Sequence, residues 1–202
     1  MLRYKDFDSR KSAFIFELDD VLYPEKDYLY QVYYLFAALL EYAVAIDASK
    51  ATAHMVNTYL SEGKDGVFDN LREKFNFEEK YRYNFDLLSN TARLPLKLLL
   101  YEDMLKLLQE VVVDRKRIFI VTNGNPGRQL NKIKQTDWNG LETYLTCYFA
   151  DEIMPKPATD TIEQLMKDHD LKRRDIVMIG NSETDETCAE ALGVDFVRPP
   201  AF

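Results

Sequence analysis

Three acidic residues follow a short apolar run near the start of the chain. The run covers residues 13–16, Glu17, Asp19 and Asp20 come next, and Pro24 ends the stretch. An apolar run of this length predicts a buried strand. Ligands of open α/β sheets bind at the carboxyl ends of the strands, so carboxylates there are placed for metal binding, nucleophilic attack or proton transfer. A strand followed by an ordinary polar turn would give the same pattern.

Later apolar runs also lead into polar residues. They cover 117–121, 146–150 and 175–179, and a last short strand is predicted over 195–197. The carboxyl ends of parallel strands meet at one edge of a sheet, so their polar residues are expected near the acids of the first strand. The residues concerned are Thr122, Asn123, Gly124, Lys156, Asn181, Ser182 and Asp185.

Predicted helices separate these strands. Apolar residues at helical spacing predict helices from 104 to 112, 126 to 135, 159 to 169 and 183 to 192. Strands that alternate with helices are typical of βαβ units. The expected fold is therefore α/β, with a doubly wound parallel sheet.

A long insertion follows the first strand, at about residues 25–100. Helical periodicity predicts four helices there and no strand, with Asp47 capping the second helix. The expected organisation is a core domain of 1–24 and 101–202 and a helical cap domain of 25–100. The insertion is rich in aromatic rings, which would pack in the cap's own core or stack on a nucleobase.

Bulk composition limits the classes of function. The 202 residues carry a formal charge of −8, with 47% apolar and 30% charged residues. The negative charge argues against a nucleic-acid polymer or a membrane surface as partner, but it leaves room for a small anionic substrate at a local cationic site. Two cysteines without metal-type spacing, a polar and charged start, and the lack of an apolar run near 18 residues predict a cytoplasmic protein.

The predicted polar edge suits phosphoryl transfer. In that chemistry a carboxylate attacks phosphorus, a cation and Mg²⁺ offset the charge on the non-bridging oxygens, and backbone N–H groups hold those oxygens. A second carboxyl group protonates the leaving group. The predicted edge holds acids, a hydroxyl beside a glycine turn, and one lysine.

At this point the sequence resembles the haloacid dehalogenase-like (HAD) hydrolase superfamily. That family's first motif, Asp-x-Asp-x-Thr/Val, corresponds to Glu17-Leu18-Asp19-Asp20-Val21. Its second-motif Ser or Thr is matched by Thr122, and its third-motif Lys by Lys156. The fourth motif reads Gly180-Asn181-Ser182-Glu183-Thr184-Asp185 here. The helical insertion resembles the family's C1 cap, and the resemblance covers about residues 13–199.

Two residues depart from the family pattern. Glu17 stands where the family has its nucleophilic Asp, and Asn181 stands where the fourth motif has its first acid. The resemblance implies that Asp19 is the acid/base and that Thr122 and Lys156 bind phosphate. Asn123 and Gly124 are expected to present backbone N–H groups to the phosphate, although a plain strand-to-helix turn would give the same residues. The resemblance also implies Mg²⁺ held by Glu17, the Asp19 carbonyl, Asn181 and Asp185. Loss of one ligand charge is expected to weaken that binding, because Mg²⁺ demands tight octahedral geometry.

The resemblance implies a phosphomonoester phosphatase that acts on a small phosphorylated metabolite. Glu17 would then be a working but slower nucleophile. The alternative is a catalytically impaired HAD-like protein that binds a phosphorylated metabolite or a protein partner. A dehalogenase is less favoured, since Asp19 suits protonation of a phosphatase leaving group. Substrate identity and oligomeric state stay open.

Overall fold

Five parallel strands form the main sheet of this computed structural model, which describes residues 2–200. The outermost residues of the predicted core domain, Met1 and residues 201–202, lie outside that range. The described residues contain seven strands, of which β2 and β4 form a separate pair. In chain order they are β1 (Ala13–Phe16), β2 (Leu98–Leu99), β3 (Arg117–Thr122), β4 (Thr136–Asp137), β5 (Leu145–Phe149), β6 (Ile176–Ile179) and β7 (Asp195–Val197).

The main sheet has the strand order β5-β3-β1-β6-β7, with β1 at its centre. Phe16, the last residue of β1, lies opposite Ile120 of β3 and Ile179 of β6. The predicted α/β fold with a parallel sheet is confirmed. The strand predicted over 146–150 begins and ends one residue earlier, and the one predicted from 175 begins at Ile176.

Eight α-helices accompany the strands in the described part of the chain. They are α1 (Glu25–Val44), α2 (Ala48–Glu62), α3 (Val67–Phe75), α4 (Arg82–Thr91), α5 (Glu102–Val113), α6 (Pro126–Gln135), α7 (Asp160–Asp168) and α8 (Glu183–Leu192). Their starts follow local rules. The Asp47 side chain accepts a hydrogen bond from Lys50 N–H at 2.8 Å, as predicted for the cap of α2. Ser182 caps α8 by accepting from Asp185 N–H at 3.1 Å.

The central strands of the sheet are buried on both faces, which explains why they are continuous apolar runs rather than alternating ones. All four residues of β1 are buried, and so are all four of β6. On one face, Ile15 and Phe119 belong to a cluster with Leu165 of α7 and Leu192 of α8. Packing on both faces fixes the carboxyl edge of the sheet, where the candidate site lies.

The chain divides into two compact units, residues 1–25 with 98–202 and residues 26–97. The second unit contains the four predicted helices α1 to α4. Its aromatic side chains pack on one another, with ring centroids 5.0 Å apart for Phe36 and Phe85 and 5.7 Å apart for Phe68 and Phe77. Burial of Phe36, Phe68 and Phe77 shows that these rings form the unit's own core.

The prediction of no strand in residues 25–100 is wrong at Leu98–Leu99. These two residues pair in parallel with Thr136–Asp137, far along the chain. Two residues are too few to show alternation, so the sequence pattern gave no signal. Close by, Tyr101 N–H donates to the Leu22 carbonyl at 2.8 Å, which links the segments before and after the insertion. Within residues 2–200, no helix combines the length and apolar content that a membrane span requires.

Candidate active site

The carboxyl edge of the sheet brings four of the predicted residues into direct contact. Glu17 follows β1, and Thr122 is the last residue of β3. Lys156 follows β5, and Asp185 lies in the first turn of α8, after β6. Each therefore stands at or after the carboxyl end of a strand, as expected for a parallel sheet.

The carboxylate of Glu17 is bound by donors on both oxygens. Its Oε1 accepts from Thr122 Oγ1 at 2.5 Å and from the N–H of Leu18 at 2.9 Å. Its Oε2 accepts from Lys156 Nζ, and 13% of the side chain is exposed. Burial raises the pKa of Glu17, and the negative charge of Asp185 raises it further. Lys156 and the hydrogen bond from Thr122 act in the opposite direction, but the pKa remains above its usual value. The protein thus holds an anion of its own between a hydroxyl and an ammonium group.

Lys156 joins two carboxylates beneath the edge of the sheet. Besides Glu17, its Nζ donates to Asp185 Oδ1 at 2.6 Å and to the Val121 carbonyl at 3.0 Å. Only 1% of the lysine side chain is exposed. Burial disfavours the ammonium form, but the charges of Glu17 and Asp185 outweigh that and raise the pKa of Lys156. The lysine is therefore a fixed cation of the site.

Asp185 is held rigidly. Its Oδ2 accepts from the Ser182 hydroxyl at 2.6 Å and from the Ser182 N–H at 3.1 Å. Burial works against ionisation, but Lys156 and Ser182 outweigh it and lower the pKa of Asp185. A Cβ placed on Gly180 would lie 2.6 Å from the Cβ of Asp185, so only glycine fits there. The Gly of the fourth motif is thus required by this carboxylate.

Asp19 lies in a second cluster at the same edge. Its carboxylate accepts from Lys132 Nζ at 2.6 Å, Gln129 Nε2 at 3.0 Å and the Tyr23 hydroxyl at 3.0 Å. Burial alone would raise the pKa of Asp19, but Lys132 and the hydrogen bonds lower it. The predicted acid/base is therefore held as a carboxylate. Gln129 also donates to Thr122 Oγ1 at 2.7 Å, which connects the two clusters.

Sequence reasoning missed Gln129 and Lys132, both buried on helix α6. They lie three residues apart and so share one face of the helix, which is the only signal that could have identified them. A search for apolar stripes assigns polar residues to solvent, whereas this helix turns a polar face inward.

The predicted phosphate-binding turn is occupied by contacts within the chain. The Asn123 amide donates to the Lys156 carbonyl at 2.8 Å and accepts from the Lys156 N–H at 3.0 Å. This pair fixes the backbone that carries the lysine. The N–H of Gly124 donates to Asp151 Oδ1 at 2.8 Å, and Gly124 has a φ of 103°, which favours glycine. Phosphate binding by Asn123 and Gly124 stays a prediction.

Three of the predicted magnesium ligands, Glu17, Asn181 and Asp185, form hydrogen bonds within the protein through their side chains. The Asn181 amide nitrogen donates to the Asp20 carbonyl at 3.1 Å, while the oxygens of Glu17 and Asp185 accept from the donors described above. Across the described residues, no group of three or more His, Cys, Asp or Glu side chains is arranged to hold a metal ion. The carboxylate oxygens of Glu17 and Asp185 are thus engaged by protein donors, and in this arrangement they do not fit Mg²⁺ as ligands.

Fold and site together define an α/β protein whose sheet edge holds carboxylates, a hydroxyl and a buried lysine. Residues 14–198 match the family model of the haloacid dehalogenase-like hydrolases, so the chain belongs to that family. No curated protein matches the chain.

Solved structures give the same fold at low sequence identity. The HAD hydrolase YfnB of Bacillus subtilis, bound to magnesium, has a TM-score of 0.66 and 16% identity over 93% of this chain and 86% of that one. A hydrolase of Streptococcus pneumoniae has a TM-score of 0.57 and 18% identity over 93% and 92%. L-2-haloacid dehalogenase of Xanthobacter autotrophicus, with chloropropionic acid covalently bound, has a TM-score of 0.54 and 15% identity over 93% and 77%.

Proposed function

We propose that this HAD-like hydrolase is a slow phosphatase of a small phosphorylated metabolite. The observation that carries the proposal is the contact of one carboxylate, that of Glu17, with both the Thr122 hydroxyl and the Lys156 ammonium. These donors suit the non-bridging oxygens of a phosphate group, whose charge Lys156 would offset. We further propose that the protein is cytoplasmic and that neither a nucleic-acid polymer nor a membrane is its partner.

In the proposed reaction, Glu17 attacks phosphorus and the ester P–O bond breaks, leaving a phosphorylated glutamate. The leaving alkoxide takes a proton from Asp19, and water then hydrolyses the acyl phosphate with Asp19 as base. Asp19 is held as a carboxylate by Lys132, which favours the second step over the first. Slow turnover follows, since the first step needs the protonated form.

Glu17 adds a second cause of slow turnover. A glutamate carboxylate stands about 1 Å or more beyond that of an aspartate on the same backbone, and such a misplacement can cost about a hundredfold in rate. Mg²⁺ would bind weakly, and the proposed reaction uses only groups of the protein.

A second candidate function is a HAD-like protein that binds its ligand without turnover. The three protein donors on the Glu17 carboxylate favour it, because they occupy both lone pairs of Oε1 and one of Oε2, which leaves a single lone pair for attack on phosphorus. The partner would be a phosphorylated metabolite or another protein.

The experiment measures kcat/KM for a panel of phosphomonoesters in the presence of Mg²⁺. The four proteins are the natural chain, Glu17→Asp, Glu17→Asp with Asn181→Asp, and that double variant with Asp19→Asn. We expect a low kcat/KM for the natural chain, a higher value for Glu17→Asp and a still higher value for the double variant. Adding Asp19→Asn to the double variant should remove the gain. A parallel assay with chloropropionic acid tests dehalogenation. A fast natural protein that Glu17→Asp slows would mean that Glu17 is an adapted nucleophile, and no turnover by any variant would favour the binding function.

A further inference from the structure

All three N–H donors of the Lys156 ammonium group have an acceptor. They are the Glu17 carboxylate, Asp185 Oδ1 at 2.6 Å and the Val121 carbonyl at 3.0 Å. A lysine has no fourth donor. An external anion that binds Lys156 must therefore displace one of these three acceptors.

Two of the three acceptors are fixed in place. The Val121 carbonyl belongs to the backbone of β3. Asp185 is 1% exposed, rests against Gly180, and is held through its other oxygen by two hydrogen bonds from Ser182. Moving either would disturb a buried strand or the start of α8.

Glu17 is the acceptor that can leave. Its carboxylate is joined to the backbone by three rotatable bonds, and 13% of the side chain reaches solvent. Rotation of these bonds would free the Lys156 ammonium, the Thr122 hydroxyl and the Leu18 N–H together. We call these three donors the anion seat.

We propose that Glu17 is a built-in ligand of the anion seat, and that its length rather than its charge limits how tightly the seat binds a phosphate-class oxyanion. The class of anion rests on the proposed function. An Asp at this position keeps the negative charge but ends one methylene earlier, so its carboxylate no longer reaches all three donors. An external phosphate can then take the contacts that Glu17 makes in the natural chain.

Asp151 supplies a matched control for charge. Its Oδ1 accepts from the Gly124 N–H at 2.8 Å, so it is a carboxylate at the same sheet edge that makes no contact with the anion seat. The side chain belongs to an exposed residue. Asp151→Asn removes one negative charge near the site while Glu17 keeps its place.

The test is calorimetric titration with inorganic phosphate at fixed ionic strength, on the natural chain, Glu17→Asp, Glu17→Ala and Asp151→Asn. We expect Glu17→Asp to bind phosphate at least about tenfold more tightly than the natural chain, because one charge-assisted contact is worth roughly a factor of ten in affinity. The affinity of Asp151→Asn should stay within about twofold of that of the natural chain. Glu17→Ala should also gain affinity.

Two outcomes would overturn the proposal. Equal affinity of Glu17→Asp and the natural chain, with a gain in Glu17→Ala alone, would mean that charge and not length limits binding. No gain in any Glu17 variant would mean that the side chain does not compete for the seat. If thermal melting shows that Glu17→Ala does not fold, Glu17→Asp decides the matter, since it keeps an anion near Lys156.

The inference about phosphate binding and the proposed phosphatase function can be tested independently. Tighter phosphate binding by Glu17→Asp without hydrolysis of any ester would leave this inference standing and end the proposed function. Hydrolysis by the natural chain with no change in phosphate affinity would do the reverse.

Discussion

Lys132 Nζ lies 2.6 Å from Asp19 Oδ2, and the lysine side chain is 1% exposed. The lysine comes from α6 and the acid follows β1, so the ion pair ties a helix to the central strand of the sheet. Glu25 Oε1 lies 3.4 Å from the same ammonium group. One buried cation thus serves two acids that flank the start of the insertion.

Lys132→Met should destabilise the protein strongly. It leaves the Asp19 carboxylate buried without its cation, and loss of one partner of a buried ion pair costs about 3–5 kcal/mol. Urea denaturation measures the change in the free energy of unfolding. Lys134→Met, at an exposed position of the same helix, should change it by less than about 0.5 kcal/mol.

A double variant checks the cause. Adding Asp19→Asn to Lys132→Met removes the unpaired charge and should restore part of the lost stability. If the double variant is as unstable as the sum of both single ones, packing by the lysine stem, not charge, accounts for the loss.

Gly180→Ala should disturb Asp185. The new Cβ would lie 2.6 Å from the Cβ of Asp185, closer than real Cβ contacts allow, and Asp185 is held on both oxygens. We expect a loss of about 1–3 kcal/mol in the free energy of unfolding. In Gly127→Ala the nearest atom is the Asn125 side-chain oxygen at 3.2 Å, a less severe approach than the one at Gly180, so we expect a smaller loss there. Equal melting temperatures for both variants would contradict this account of Gly180.

Mg²⁺ should bind weakly, because the Asn181 amide donates to the Asp20 carbonyl and carries no charge for the ion. Calorimetric titration with MgCl₂ should give a dissociation constant in the millimolar range or above, roughly a thousandfold weaker than micromolar binding. Asn181→Asp together with Glu17→Asp should tighten it. Asn57→Asp, at an exposed position of α2, adds the same charge elsewhere and should not. Micromolar binding by the natural chain would show that Asn181 is no handicap.

Both cysteines should react slowly with alkylating agents near neutral pH. Burial raises the pKa of Cys147 to about 11, and burial likewise raises that of Cys188 to about 11. The thiolate is the reactive form, so its fraction at pH 8 is about 0.1% rather than about 10% at a pKa of 9. Alkylation by iodoacetamide, followed by mass spectrometry, should be slow at pH 8, faster as pH approaches 11, and fast at pH 8 in urea. Rapid modification of the folded protein at pH 7 would contradict these pKa shifts.

The sheet and its carboxyl edge were predictable because buried parallel strands leave continuous apolar runs in the sequence. Thr122 and Lys156 could be placed near Glu17 by topology alone, and the structure brings their side chains together. The α/β fold, predicted from the alternation of strands and helices, is confirmed by the sheet topology, and the superfamily, predicted from the motifs, is confirmed by the family match.

The second cluster could not be predicted in the same way. Lys132 and Asp19 are far apart in the chain, and helical periodicity says which residues share a face but not that a polar face turns inward. The protein donors on both Glu17 oxygens could not be predicted from the sequence either, because these contacts depend on the position that one extra methylene gives the carboxylate. Both features are set by distances between groups, which composition and spacing do not contain.

The hydrogen bond from Tyr101 N–H to the Leu22 carbonyl, 2.8 Å long, closes the chain across the insertion. For the core, residues 26–97 are thus a loop whose ends already meet. The entropy of closing a loop grows only with the logarithm of its length, so exchanging this segment for a much shorter or longer one changes that cost by about 1 kcal/mol per fourfold change in length. The entropic cost of connecting the two sides of the core therefore depends only weakly on the length of the insertion.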